Sequence, residues 1–145
     1  MARNIMKIAS VASSVLAMGA GAAGLLNDGD APVIDETVHQ IAVSCEGDQV
    51  QIDNCQGATV YGPVSDYLGV PYYAQHNGMG GEQWLSYKVG DTVVVQGVTY
   101  QISSDKIVET SGDIDQIANL NGDAYLQTCL DDHVHSRVMV LTKVA

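Results

Sequence analysis

The chain has few basic residues. It contains six lysines and arginines against 17 acidic residues, and its arginines are Arg3 and Arg137. From residue 23 onward, four basic residues stand against the 17 acidic ones, which gives a formal charge of −13. This charge argues against binding to nucleic acid and against adhesion to anionic lipid. We interpret it as a soluble, self-repelling surface, and a preference for a cationic partner such as an amine is the alternative.

The chain also lacks a glycine-rich phosphate loop, and it has only three cysteines, Cys45, Cys55 and Cys129. In an exported protein an odd count leaves one thiol over. A tight hairpin at Gly47-Asp48 would place Cys45 opposite Val50, so a bridge between Cys45 and Cys55 needs a wider loop or a bulge. If that bridge forms, Cys129 is the thiol left over.

Residues 1–26 are predicted to be a signal peptide or an N-terminal membrane anchor. Arg3 and Lys7 form a basic start, and the 19 residues from 8 to 26 carry no charge. Small residues at 20–22 fit a cleavage site, and the uncharged run is also near the length that spans a bilayer. Both alternatives place the remaining chain outside the cytoplasm, either secreted or at the extracellular face of the plasma membrane.

An acidic linker is predicted over 27–36, followed by one domain over 37–145. Short runs rich in β-branched residues alternate with turn signals, and Gln96-Gly97 between two such runs is the strongest hairpin signal. Helical spacing is limited to 64–68 and 111–120. The pattern favours a mainly β fold, a small closed β-barrel with one or two short helices in loops. The strand candidates before residue 80 are 39–43, 49–52, 59–61 and 71–74.

Three residues could together form a reactive site. Thr128-Cys129 ends a strand-like run, and Arg137 follows after a loop of seven residues. His76 stands 53 residues before the cysteine. A thiol, an imidazole and a guanidinium can serve as nucleophile, acid/base partner and anion stabiliser. A nearby cation increases the thiolate fraction of a cysteine whose unperturbed pKa is about 8.5, and arginine presents a rigid, permanently charged fork.

The order of these residues resembles the sortase family of cysteine transpeptidases. The resemblance spans roughly residues 52–144 and depends on four pieces. In chain order they are the His76 segment Ala74-Gln-His-Asn-Gly, the strand start Tyr87-Lys-Val-Gly-Asp-Thr, the strand 97–102, and Thr128-Cys129 with Arg137. Gln75 stands where that family often has a glycine or another small residue, and the loop between Cys129 and Arg137 is short.

The resemblance implies a closed sortase-like β-barrel and an acyl transfer without a cofactor. Cys129 would attack a backbone carbonyl in a sorting-signal peptide of the Leu-Pro-x-Thr-Gly kind, and His76 would protonate the leaving amine. Arg137 would hold the substrate or stabilise the oxyanion. An amine acceptor, a cell-wall peptide or a pilin lysine, would resolve the thioester. The residues expected to contact the substrate are Thr128, Ile114 and Ile117.

Other interpretations stay open. Cys129 could be an inert buried cysteine, and Arg137 could form an ion pair with Asp131 or Asp132. Ile114 and Ile117 could be the buried face of a short helix rather than a groove. The protein would then be a non-enzymatic secreted β-domain, and a hydrolase with the same three residues is a further alternative.

A metal site is the remaining alternative. Cys129, His133 and His135 are residue types that bind zinc or copper, and two histidines two residues apart on a strand share a face. We interpret this segment as an exposed polar loop and predict no metal site. One of these histidines could also replace His76 as the base.

Overall fold

The computed structural model describes residues 38–144, and the predicted leader (1–26) and linker (27–36) lie outside that range. Its regular elements are, in chain order, β1 Val38–Ile41, β2 Val43–Gly47, α1 Gln49–Asn54, β3 Ala58–Tyr61, α2 Gly62–Leu68, β4 Tyr72–Ala74, 3-10 helices Asn77–Met79 and Gly81–Ser86, β5 Thr92–Val95, β6 Val98–Glu109, α3 Asp115–Ala118, β7 Ala124–Cys129 and β8 His135–Lys143.

The eight strands form one sheet in the order β1-β5-β6-β8-β7-β4-β3-β2. The two end strands, β1 and β2, are consecutive in the chain, so the sheet curls into a nearly closed barrel. β7 pairs with β8 in antiparallel fashion and with β4 in parallel fashion. The prediction of a mainly β barrel with short helices is therefore confirmed.

The sheet buries both of its faces. The interior cluster combines side chains from the ends and from the middle of the strand order. Examples are Ile41 of β1, Val93 of β5, Leu126 of β7 and Met139 of β8. The outer cluster lies on the opposite face, where α1 and α2 pack against β2 and β3 and the α3 segment contributes Ile114 and Ile117. Alternation along a strand sends successive side chains to opposite faces. Neighbouring residues of β7 and β8 therefore belong to different clusters.

The predicted strand over 49–52 is wrong, because this segment forms α1. The Asp48 side chain accepts a hydrogen bond from the Val50 amide, and the Gln51 side chain accepts one from the Asp48 amide. This capping box satisfies backbone groups that a helix start leaves unpaired. The helix also buries Ile52 in the outer cluster. The alternation of polar and apolar residues that suggested a strand is equally compatible with one helical turn.

The hairpin at Gln96-Gly97 is present as predicted. Both residues have positive φ angles, 50° and 82°, as a two-residue hairpin turn requires. The turn joins β5 to β6, which continues as a 12-residue strand along β8. Within residues 38–144, no helix has the length and apolar character needed to cross a bilayer.

Candidate functional site

Adjacent parallel strands bring His76 and Cys129 to the same edge of the sheet. β4 pairs with β7 through Ala74 and Gln127, and the Gln75 amide continues this ladder by donating to the Gln127 carbonyl at 3.2 Å. Cys129 ends β7, and His76 follows two residues after the end of β4. The Tyr72 and Ala74 side chains of β4 belong to the same outer cluster as Cys129. The pairing of β4 with β7 therefore brings the segments that carry His76 and Cys129 to the same end of two neighbouring strands.

The backbone around His76 wraps the end of β7. The Asn77 side chain donates to the Cys129 carbonyl at 2.7 Å, and the Thr128 hydroxyl donates to the Gln75 carbonyl at 2.9 Å. Gly81 lies so close that an added Cβ would stand 2.8 Å from the His76 carbonyl oxygen. Thr128, predicted to contact substrate, is fully buried in these contacts.

The thiol of Cys129 has no exposed surface. It lies beside a chain of buried polar side chains on the outer face. The Tyr72 hydroxyl donates to the Gln127 amide oxygen at 2.7 Å, the Gln127 amide nitrogen donates to the Ser136 hydroxyl at 3.1 Å, and the Ser136 and Thr110 hydroxyls are 2.7 Å apart. Since an unpaired buried polar group costs about 1–3 kcal/mol, these contacts hold the surroundings of the thiol in one arrangement.

The local electrostatics disfavour the thiolate in this conformation. Burial raises the pKa of the Cys129 thiol above its ordinary value of 9.0, and the carboxylates of Asp132 and Asp131 raise this pKa further. A hydrogen bond with Thr110 acts in the opposite direction and is outweighed. A reactive cysteine normally has a depressed pKa and partial exposure. In the described structure Cys129 has neither of these two features.

The α3 segment contributes two buried isoleucines to the outer cluster. Ile114 and Ile117 are 2% and 0% exposed and belong to the same cluster as Cys129. They were predicted to contact substrate, and in the described structure they are core residues. Burying one isoleucine contributes about 1.5–3 kcal/mol, so moving both into water costs about 3–6 kcal/mol.

Arg137 lies on the other face of the sheet from Cys129. It pairs with Thr128, one residue before the cysteine, and its neighbour Ser136 pairs with Cys129. The guanidinium binds the Asp105 carboxylate at 2.8–2.9 Å and donates to the Trp84 carbonyl at 2.9 Å. The structure thus does not bring Arg137 together with the thiol, because two successive strand positions point in opposite directions.

We expect Arg137→Ala to reduce the free energy of unfolding by about 2–3 kcal/mol, the range for hydrogen bonds to charged groups. The change leaves the Trp84 and Leu85 carbonyls without their donor. Asp105 is partly exposed, so its ion pair adds little. Urea denaturation would measure the loss, with exposed Lys143→Ala as the matched control. Equal midpoints for the two variants would show that the guanidinium contacts do not stabilise the fold.

His76 has a carboxylate partner that sequence reasoning missed. Its Nε2 lies 2.8 Å from the Asp53 Oδ1, and its side chain is only 13% exposed. The Gln49 amide nitrogen donates to the same oxygen at 2.8 Å from one turn earlier on α1. The sequence does not predict this role for Asp53, because a strand over 49–52 would not place Asp53 on a helix that faces His76. The Asp48-x-x-Gln51 capping pattern was the signal that could have revealed the helix.

A disulfide joins Cys45 of β2 to Cys55, the residue that caps the end of α1. The helix supplies the wide connection that the sequence argument required, so the bridge spans a strand and a helix end rather than a hairpin. Cys129 is the free cysteine of the described residues. The bridge lies two residues after Asp53 and therefore holds the end of α1 that faces His76.

Asp132 holds the loop between β7 and β8 through hydrogen bonds. Its carboxylate accepts hydrogen bonds from the His135 and Val134 amides, which lower the pKa of Asp132 to about 2, and it binds the His135 Nδ1 at 2.7 Å. Within residues 38–144, no group of three His, Cys, Asp or Glu side chains is arranged to hold a metal ion. The metal alternative gains no support from this geometry.

The site that emerges combines predicted and unpredicted residues. Cys129 ends β7 and His76 follows β4, while Asp53 contacts the His76 ring and Asn77 donates to the Cys129 carbonyl across distant segments. Arg137 lies on the opposite face, where its guanidinium donates to the Trp84 carbonyl. Comparisons with models of known protein families, with curated proteins and with solved structures gave no match.

Proposed function

We propose that this domain is a sortase-like cysteine transpeptidase whose active site is closed at rest. The observation that carries the proposal is the pairing of β4 with β7, which brings the segment after β4 that carries His76 close to the end of β7 that carries Cys129. A thiol beside an imidazole that has its own orienting partner is the arrangement of cysteine acyl transferases. The proposed substrate class, a sorting-signal peptide, comes from the resemblance of the chain to sortases in the order of its strands and site residues.

In the proposed reaction the Cys129 sulfur attacks the carbonyl carbon of a sorting-signal peptide, and the thiol proton passes to His76. The amide C–N bond then breaks, and His76 returns the proton to the leaving amine. An acceptor amine attacks the resulting thioester, gives a proton to His76 and releases the thiolate. This assignment leaves Arg137 outside the chemistry, since its donors are bound to Asp105 and backbone carbonyls.

Access to the thiol requires the α3 segment to move. Ile114 and Ile117 would leave the outer cluster, and the leucine and proline of the peptide would bury a comparable apolar surface in their place. Substrate binding would in this way offset the cost of opening. The disulfide supports an oxidising compartment, and the proposed location is the extracellular face of the plasma membrane or the secreted fraction.

A second candidate is a non-enzymatic, disulfide-stapled β-domain. The observation that favours it is the full burial of Cys129, together with burial that raises its pKa. In that case the thiol would serve packing only. The two candidates differ in whether the thiol ever becomes accessible in the folded protein.

The full chain, incubated with a Leu-Pro-x-Thr-Gly peptide and a glycine peptide as acceptor, tests the proposal by mass spectrometry. We expect a thioester on Cys129 that is absent in Cys129→Ala and is resolved by the amine. An adduct released only to water would indicate a hydrolase. Absence of an adduct, with iodoacetamide labelling only after unfolding, would favour the packing role.

The raised pKa of Cys129 predicts how the rate of iodoacetamide labelling changes with pH. Because burial raises the pKa of Cys129, the folded protein keeps the thiol protonated at pH values where an ordinary cysteine ionises. The thiol therefore contributes stability that is fully present below its unfolded pKa and is lost as the pH rises through the folded pKa. In the folded protein without peptide, labelling should accelerate only at pH values above the pKa of an ordinary cysteine.

A further inference from the structure

We infer that Asp53 is the positioning residue of the site and orients His76 toward the end of β7, an inference that rests on the proposed function. The contact that carries it is the 2.8 Å approach of the Asp53 carboxylate to the His76 Nε2. Neither residue is near the other in sequence, and they meet because α1 packs against β2 and β3 while His76 follows β4, the strand paired with β3. The site would then be a Cys129–His76–Asp53 constellation.

The chemistry of the imidazole explains what this contact does. A carboxylate can only accept a hydrogen bond, so Nε2 carries the proton of the neutral ring and donates it to Asp53. The other ring nitrogen, Nδ1, is then the one that can accept the proton of the thiol. Selecting the tautomer and holding the ring plane is the role of the third member in triads of this type.

The carboxylate is itself held in place. Gln49 donates to the oxygen that contacts His76, at 2.8 Å. α1 is fixed at its start by the Asp48 capping box and at its end by Cys55, which is 2% exposed and joined to Cys45. A six-residue helix would not be stable in isolation. The disulfide and the cap thus give the half-exposed Asp53 a defined position.

Asp53→Asn keeps the shape of the side chain and removes its charge, and Asp53→Glu restores the charge. We expect Asp53→Asn to slow thioester formation on the order of 10²-fold. This loss is smaller than the ~10⁴-fold known for a fully buried triad aspartate, because Asp53 is 51% exposed and partly screened by solvent. Asp53→Glu should recover much of the rate. Asp66→Asn, at an exposed aspartate on α2, is the matched control and should leave the rate unchanged.

A second readout does not depend on turnover. The ¹⁵N shifts of His76 in the full chain report which ring nitrogen carries the proton, and we expect the Nε2-protonated form in the wild type and a mixture of forms in Asp53→Asn. An unchanged tautomer in Asp53→Asn would overturn the inference, whether or not peptide reacts. A changed tautomer in a protein that forms no thioester would support the role of Asp53 in orienting His76 and would sink the transpeptidase proposal. An unchanged reaction rate in Asp53→Asn would overturn the inference as well.

Discussion

Replacement of His76 by alanine is expected to slow thioester formation 10²–10⁴-fold, the usual contribution of a positioned acid/base group. The effect should be near the upper end of this range. Burial raises the pKa of Cys129, so little thiolate exists at neutral pH without a neighbouring base. The leaving amine also loses its proton donor. Single-turnover measurement with a quenched Leu-Pro-x-Thr-Gly peptide would give the rate.

His135→Ala provides the matched control for this prediction. His135 is six residues from Cys129 in sequence, but its ring is bound to Asp132 in the loop that joins β7 to β8. We expect its replacement to change the rate by less than about fivefold, the effect of losing one surface contact worth less than ~1 kcal/mol. A large loss in His135→Ala with an intact rate in His76→Ala would move the base to the loop and contradict the assignment.

Removal of the disulfide is expected to have the largest effect on stability. The bridge closes a loop between residues ten apart in sequence, and the chain-entropy model assigns such a loop about 3 kcal/mol. Calorimetry of Cys45→Ala/Cys55→Ala should show a Tm roughly 10–20 °C lower, at about 4–8 °C per kcal/mol for a domain of this size. The buried position of Cys55 adds to the loss.

The control is Cys129→Ala, which removes a buried cysteine side chain and keeps the bridge. It should reduce Tm by only a few degrees, because the cavity corresponds to a single sulfur atom. A double variant with the Tm of Cys129→Ala would show that the bridge does not constrain the unfolded chain. If α1 positions Asp53, the double variant should also lose thioester formation at temperatures where the barrel is still folded.

Local sequence signals predicted the parts of the fold that short-range physics decides. Gln96-Gly97 predicted the β5–β6 hairpin because a two-residue turn needs positive φ at both positions. The segment 49–52 was assigned wrongly, because a run of four alternating residues fits a strand and a helical turn alike. Only the capping box at Asp48 separates the two possibilities.

Whether residues from two distant segments meet depends on strand order and register. The segments that carry His76 and Cys129 meet because β4 and β7 are adjacent and parallel in the barrel, which the Asn77 contact with the Cys129 carbonyl shows. Arg137 does not join them, because its position in the register sends its side chain to the opposite face. The burial of Ile114 and Ile117 beside Cys129 likewise depends on where the α3 segment packs. None of these outcomes can be read from spacing along the chain.

The sequence by itself determined the acidic character of the protein, its odd cysteine, its short strands and its hairpin, since composition and local backbone preference suffice for these. The tertiary structure decided which side chains meet. It joined Asp53 to His76, covered Cys129 with the α3 segment and bound Arg137 to Asp105. The physical reason is that strand order and register set the face and the neighbours of every side chain, and both follow from packing between segments that are far apart in the chain.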